Sequence, residues 1–111
     1  AIYSGDDGTA LELILMGGHG DISVTANVAP KLMSEMCRLG LVGDAEAARK
    51  VNGQLEPVHE VLFVESNPIP VKWAVAEMGL MQQAIRLPLT ELSAHHHDTV
   101  RAALKQAKLL N

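Results

Sequence analysis

Two apolar rhythms alternate along the first third of the chain. Ile2-Tyr3 reads as a short strand, and Ser4-Gly5-Asp6-Asp7-Gly8 as the turn that follows it. Leu11, Ile14 and Leu15 then fall on or near one face and predict a helix over about Thr9–Met16. Asp6 or Asp7 is expected to cap it by accepting a bond from an unpaired N–H, and Gly17-Gly18 to stop it. Asp21-Ile22-Ser23-Val24-Thr25 is β-branched and alternating, which predicts a second strand. Leu32, Met33, Met36 and Leu39, with Cys37 beside them, give the apolar side of a second helix. Asn27 or a neighbour suits its N-cap, Pro30 its first turn, and Gly40 and Gly43 its end.

Beyond Gly43 the strand rhythm disappears. Ala48, Val51, Leu55, Val58 and Leu62 form a single stripe of an amphipathic helix that Asp44 is placed to cap. Pro57 inside that stripe predicts a bend near Gly53–Pro57. Asn67-Pro68-Ile69-Pro70 reads as an extended connector, followed by a helix over about Val71–Met78. A second connector, Arg86 to Thr90, leads to a last helix that begins near Thr90 or Ser93. The clear part of that helix is Val100, Ala103, Leu104 and Ala107.

Strand, helix, strand, helix with short joints is the order of a parallel α/β fold. Two strands do not make an independent parallel sheet, because a parallel pair needs cover on both faces and further neighbours. The chain is therefore expected to be a piece of a larger domain.

Composition adds a few limits. Apolar residues make up 48% but aromatics only 3%, so small and aliphatic side chains must build the core. The net charge of −4 is interspersed, with no basic stripe that would suit nucleic acid. No apolar run approaches the roughly 20 residues that span a bilayer. No initiator Met, charged leader or signal peptide precedes Ala1-Ile2-Tyr3, so a soluble protein is expected. Cys37 is the single cysteine, which suits a reducing, cytoplasmic setting and reads as a small buried or half-buried apolar residue.

Candidate chemistry is sparse. Ser4-Gly5-Asp6-Asp7-Gly8 lies where a strand gives way to a helix, the end that carries active sites in α/β folds. Its glycines would let a ligand approach the backbone, although a capped turn needs the same residues. Ser23 and Thr25 are polar in a buried strand and need partners. His19 precedes the second strand and is expected at the opposite, structural rim. His95-His96-His97 points three ways on a helix, since neighbours are about 100° apart, and is read as a solvated helix start. Lys72 is expected in solvent and Trp73 in packing.

Three stretches taken together are far more specific. Tyr3-Ser4-Gly5-Asp6-Asp7, Gly17-Gly18-His19-Gly20-Asp21-Ile22-Ser23-Val24-Thr25-Ala26-Asn27 and Asn67-Pro68-Ile69-Pro70-Val71-Lys72-Trp73-Ala74 closely resemble the dihydrodipicolinate synthase family, and Thr99 to Leu104 is similar too. The resemblance covers essentially the whole chain. It implies the C-terminal part of a (β/α)8 TIM barrel. Residues 1–43 would be the last two βα units, strands 7 and 8 with their helices, and 44–111 a C-terminal extension of three further helices. It implies a Schiff-base lyase of lysine biosynthesis that condenses pyruvate with aspartate 4-semialdehyde to 4-hydroxy-tetrahydrodipicolinate. That enzyme would be cytoplasmic and homotetrameric, with no cofactor, metal, nucleic acid or membrane partner.

By the same resemblance the backbones of Gly5 and Ile22 line the pyruvate site, and Asp6 supports it from behind. The nucleophilic lysine and the Tyr-centred proton relay would precede Ala1. Lys31, Lys50, Lys72, Lys105 and Lys108 all fall on predicted helices, so the chain alone is expected to be inactive. Two other readings stand beside this one: a sibling pyruvate-dependent aldolase such as N-acetylneuraminate lyase, and a non-catalytic helical module for assembly.

Overall fold

The computed structural model describes residues 1–111. Tyr3–Ser4 (β1) and Gly20–Asp21 (β2) pair in parallel, with Tyr3 opposite Gly20 and Ser4 opposite Asp21. Between them runs α1 (Asp7–Leu15). A 3-10 turn, Thr25–Asn27, leads into α2 (Pro30–Leu41). Three helices follow: α3 (Ala45–Val61), α4 (Ile69–Glu77) and α5 (His97–Gln106), the last entered through a 3-10 turn at Ala94–His96. None of the helices is long and apolar enough to cross a membrane.

The amphipathic stripes meet in one continuous core. Met33 and Met36 of α2 pack with Ala48, Leu55 and Val58 of α3, and Val100 and Leu104 of α5 join them. Met36, Leu55 and Leu104 are fully buried. At Gly40 of α2 a Cβ would stand 2.9 Å from Ile14 Cγ2, so the glycine sets how closely α2 lies on α1. The other face of the two-stranded sheet has no such cover, and Tyr3 and Ile22 are exposed there.

Several boundaries differ from the sequence expectation, each for a local reason. The second strand ends at Asp21 instead of continuing to Thr25. The Asp7 carboxylate accepts the N–H groups of Val24 and Thr25, and Ser23 Oγ accepts that of Ala26, which turns the chain out of the sheet. Helix α1 starts at Asp7, with Asp6 at the N-cap position, but the Asp6 carboxylate takes the Thr9 hydroxyl instead of a helical N–H. Ala29, not Asn27, precedes α2, and the Asn27 amide donates to the Val24 carbonyl. Asp44 caps α3 as expected, accepting from Ala47 N, and the helix is continuous through Pro57. Helix α4 begins two residues early, at Ile69. Ser93 gives its N–H and hydroxyl to Glu65 and so ties the last connector to the end of α3. Lys108 lies in the turn after α5 with φ 61°, not on a helix.

Candidate functional site

Side chains alternate across an extended strand, so the two short strands sort their residues onto two faces. Ser4 and Asp21 turn toward the helices, where Ser4 is buried. Gly5 and Ile22, each one position on, fall on the open face. The Ile22 side chain is 74% exposed. Its N–H donates to the Ser4 carbonyl at 2.9 Å, which extends the ladder by one residue and sets Ile22 beside the start of the Gly5 turn. A Cβ built on Gly5 meets nothing within 4 Å. Both residues thus present backbone to open space at the C-terminal end of a parallel pair, the end where α/β folds place their ligands.

Asp6 stands behind this edge. Ser4 Oγ accepts the Asp6 N–H and donates to the Asp6 carbonyl, both at 3.0 Å, and Thr9 Oγ1 donates to the Asp6 carboxylate at 2.7 Å. The Gly5 turn is thereby closed from both sides. His19 lies at the other end of the strands. Its Nδ1 accepts the Ile2 N–H at 3.0 Å, and its own N–H donates to the Ile2 carbonyl at 2.7 Å.

Behind the open face lies a polar cluster that joins Asp7 of the first candidate turn with Asp21, Thr25 and His59. Asp7 is 3% exposed, and Oδ2 accepts from Val24 N and Thr25 N, both at 3.0 Å. The Asp21 and Asp7 carboxyls are neighbours, and Asp7 Oδ1 and both Asp21 oxygens are buried with no hydrogen-bond partner. Thr25 Oγ1 and His59 Nδ1 share a buried bond of 2.7 Å. Burial raises the Asp7 pKa, but the Thr25 N–H, the nearby Asp21 carboxyl and Ser23 hydroxyl, and the field of His59 outweigh it and leave it lowered. Asp21 is pushed up to about 7, first by burial and then by the neighbouring Asp7. Burial also holds the His59 ring below the ordinary histidine range, against the pull of Asp7, Glu56 and Asp6. A signal for His59 existed in the sequence: it stands four residues after Leu55 and three before Leu62, on the buried stripe of α3.

The remaining candidates separate. His95 and His96 have ring centroids 4.0 Å apart, whereas His97 turns away to stack on Trp73 at 4.4 Å. Lys31, Lys50, Lys72 and Lys105 lie in α2, α3, α4 and α5, so no lysine sits on either strand. Cys37 is half-buried on α2. Burial first, then the charges of Asp21 and Asp7, push its thiol upward, away from thiolate chemistry.

The sequence profile of the Dihydrodipicolinate synthetase family matches residues 1–107. The 4-hydroxy-tetrahydrodipicolinate synthase of Nitrosomonas eutropha is 64% identical over 107 residues, which are 96% of this chain and 37% of that protein. The crystal structure of the chloride-inhibited dihydrodipicolinate synthase from Acinetobacter baumannii complexed with pyruvate superposes with a TM-score of 0.97 at 53% identity, covering 99% of this chain and 38% of that one. A structure described as the first monomeric dihydrodipicolinate synthase variant matches with a TM-score of 0.94 at 44% identity, over 97% and 36% of the two chains. The chain thus spans a little over a third of the length of the relatives it matches.

Proposed function

The chain belongs to the dihydrodipicolinate synthetase family, and we propose that it forms one wall of the pyruvate site in a class I aldolase-type lyase. The whole enzyme condenses pyruvate with aspartate 4-semialdehyde to 4-hydroxy-tetrahydrodipicolinate, in cytoplasmic lysine biosynthesis, as a homo-oligomer. On this reading residues 1–43 are the last two βα units of a TIM barrel and residues 44–111 its C-terminal helical extension. The observation that carries it is the placement of Gly5 and Ile22 side by side on the open face, at the C-terminal end of two parallel strands.

The chemistry follows from what each group has free. A lysine outside this chain forms the Schiff base, which turns pyruvate into an enamine nucleophile. The chain supplies position. The Ile22 N–H is committed to Ser4, so its carbonyl is the group left to face the substrate. Gly5 keeps the pocket free of a side chain, and Asp6, held by Ser4 and Thr9, fixes the turn. Such positioning lowers the barrier by holding the reacting atoms in geometry.

The test is intact mass after treatment with pyruvate and borohydride. The chain alone should show no adduct at its 11.9 kDa. Grafted in place of the matching segment of a full-length relative, it should support one reduced pyruvate per subunit, and a graft that folds but takes up none refutes the reading. In that graft Gly5→Val should raise KM for pyruvate about tenfold, about 1.4 kcal/mol, with the melting temperature unchanged because the site around Gly5 is open. An unchanged KM would remove Gly5 from the site.

A further inference from the structure

The Asp7–Asp21 pair is unlike the other acids of the chain. Its oxygens Asp7 Oδ1, Asp21 Oδ1 and Asp21 Oδ2 are all buried and all lack a donor. The exposed Glu12 and the half-buried Glu35 and Glu77 each have an arginine. The groups around the pair offer little cation. Asp6 faces it from the turn before α1, Cys37 from α2 and His59 from α3, with Glu56 next to His59. Ser23 and Thr25 contribute hydroxyls, the second already engaged with His59. Two ionised carboxylates packed together with their oxygens buried would repel strongly. A single proton between them removes one charge and supplies the missing donor, the arrangement that adjoining carboxyl groups adopt in shared acid sites.

We infer that Asp7 and Asp21 hold one proton in common, and that this proton fastens the turn Ile22–Ala26 against α1. The mechanical link is direct. Asp7 is the acceptor that bends Val24 and Thr25 out of the strand. Asp21 is the last residue of β2, one peptide before Ile22. With the proton present, Asp21 donates to Asp7 and the two ends of the bend are tied together. With it gone, the carboxylates repel across the base of the turn. This network lies on the helix side of the sheet, so the inference is independent of what the open face binds.

The direction of the pH effect is fixed by the shifts. Asp21 binds its proton more tightly folded than unfolded. Its contribution to stability is fully present below 3.8 and is lost as pH rises through about 7. Asp7 acts oppositely: its contribution is present above 3.8 and is lost as pH falls through its lowered pKa.

Carbon-13 NMR of the aspartate carboxyls in this chain, from pH 3 to pH 9, tests the inference. One carboxyl should titrate near neutrality, and the amide signals of Ser23, Val24 and Thr25 should move with the same midpoint. Asp21→Asn keeps a donor toward Asp7 without a titrating proton. It should abolish the neutral step and flatten the fall in melting temperature expected of the native chain between about pH 4 and pH 7. Both carboxyls titrating in the ordinary range near pH 4 would overturn the shared proton, as would a cation seated between them, which lowers both titrations. Silent amides alongside a neutral titration would overturn the fastening of the turn. Should the Asn variant fail to fold, the titration of the native chain decides alone.

Discussion

Replacing Trp73 with alanine should destabilise the chain by about 3–5 kcal/mol, the usual loss for a buried tryptophan. Trp73 is the largest side chain of α4 and is 5% exposed. Its ring is stacked on His97 of α5 at 4.4 Å with planes 19° apart, and the Arg101 guanidinium lies 5.1 Å from its centroid. Arg101 is in turn held by Glu77 at the end of α4, and His97 by the Leu92 carbonyl. The indole therefore joins α4, α5 and the connector between them. Removing it empties a large volume and frees two partners at once. The aromatic stack adds about 0.5–1.5 kcal/mol, and the cation about 0.5–1 kcal/mol at a partly exposed site. Trp73→Phe should keep most of the volume and cost less than half as much. Urea denaturation followed by far-UV circular dichroism measures both. A Trp73→Ala loss below about 1.5 kcal/mol would mean that α4 is held elsewhere.

The second large effect belongs to Asp7, where alanine and asparagine should part company. Asp7→Ala leaves the N–H groups of Val24 and Thr25 without an acceptor, the first half-buried and the second buried. Bonds to a charged acceptor contribute about 1.5–3 kcal/mol each, and an orphaned buried donor costs its full desolvation. The variant also releases Asp21 from a like charge, which acts in the opposite direction. The expected net loss is about 3 kcal/mol at pH 6 and less at pH 8, where the native pair has begun to lose its proton. Asp7→Asn retains an acceptor for both N–H groups and can donate to Asp21, so it should cost under about 1 kcal/mol. The comparison uses the same urea titration at the two pH values. Equal losses for the two variants would show that charge, not hydrogen bonding, is what the turn requires.

These two residues mark opposite limits of what sequence periodicity carries. The stripes of α2, α3 and α5 were legible because one buried face of a helix recurs every three or four residues, and the structure buries Met33, Met36, Leu55, Val58, Val100 and Leu104 as that pattern requires. Trp73 was expected in packing and is packed. The stretches around Tyr3–Asp7, Gly17–Asn27 and Asn67–Ala74 pointed to the family, and the profile match and the superposition agree. The expected second strand failed beyond Asp21. Its β-branched alternation is a local preference, whereas the bend there is imposed by a carboxylate seventeen residues earlier in the chain. Periodicity sees neighbours along the chain and is blind to such a partner.

The sequence by itself determined the order of elements, the helical faces, the caps at Asp44 and Gly17, and the family. All of these rest on interactions within a few residues or on motifs read as strings. Only the tertiary structure decided that Asp7 serves the Val24–Thr25 turn and not its own helix, that His59 is bonded to Thr25, and that His97 leaves its neighbours to stack on Trp73. It also decided that Asp21 lies beside the buried Asp7, where desolvation and like charge raise Asp21 while hydrogen bonds and the field of His59 lower Asp7. The physical reason is common to all of these. A polar side chain in a core takes whichever partner packing brings to it, and that partner is set by how the helices lie on the strands.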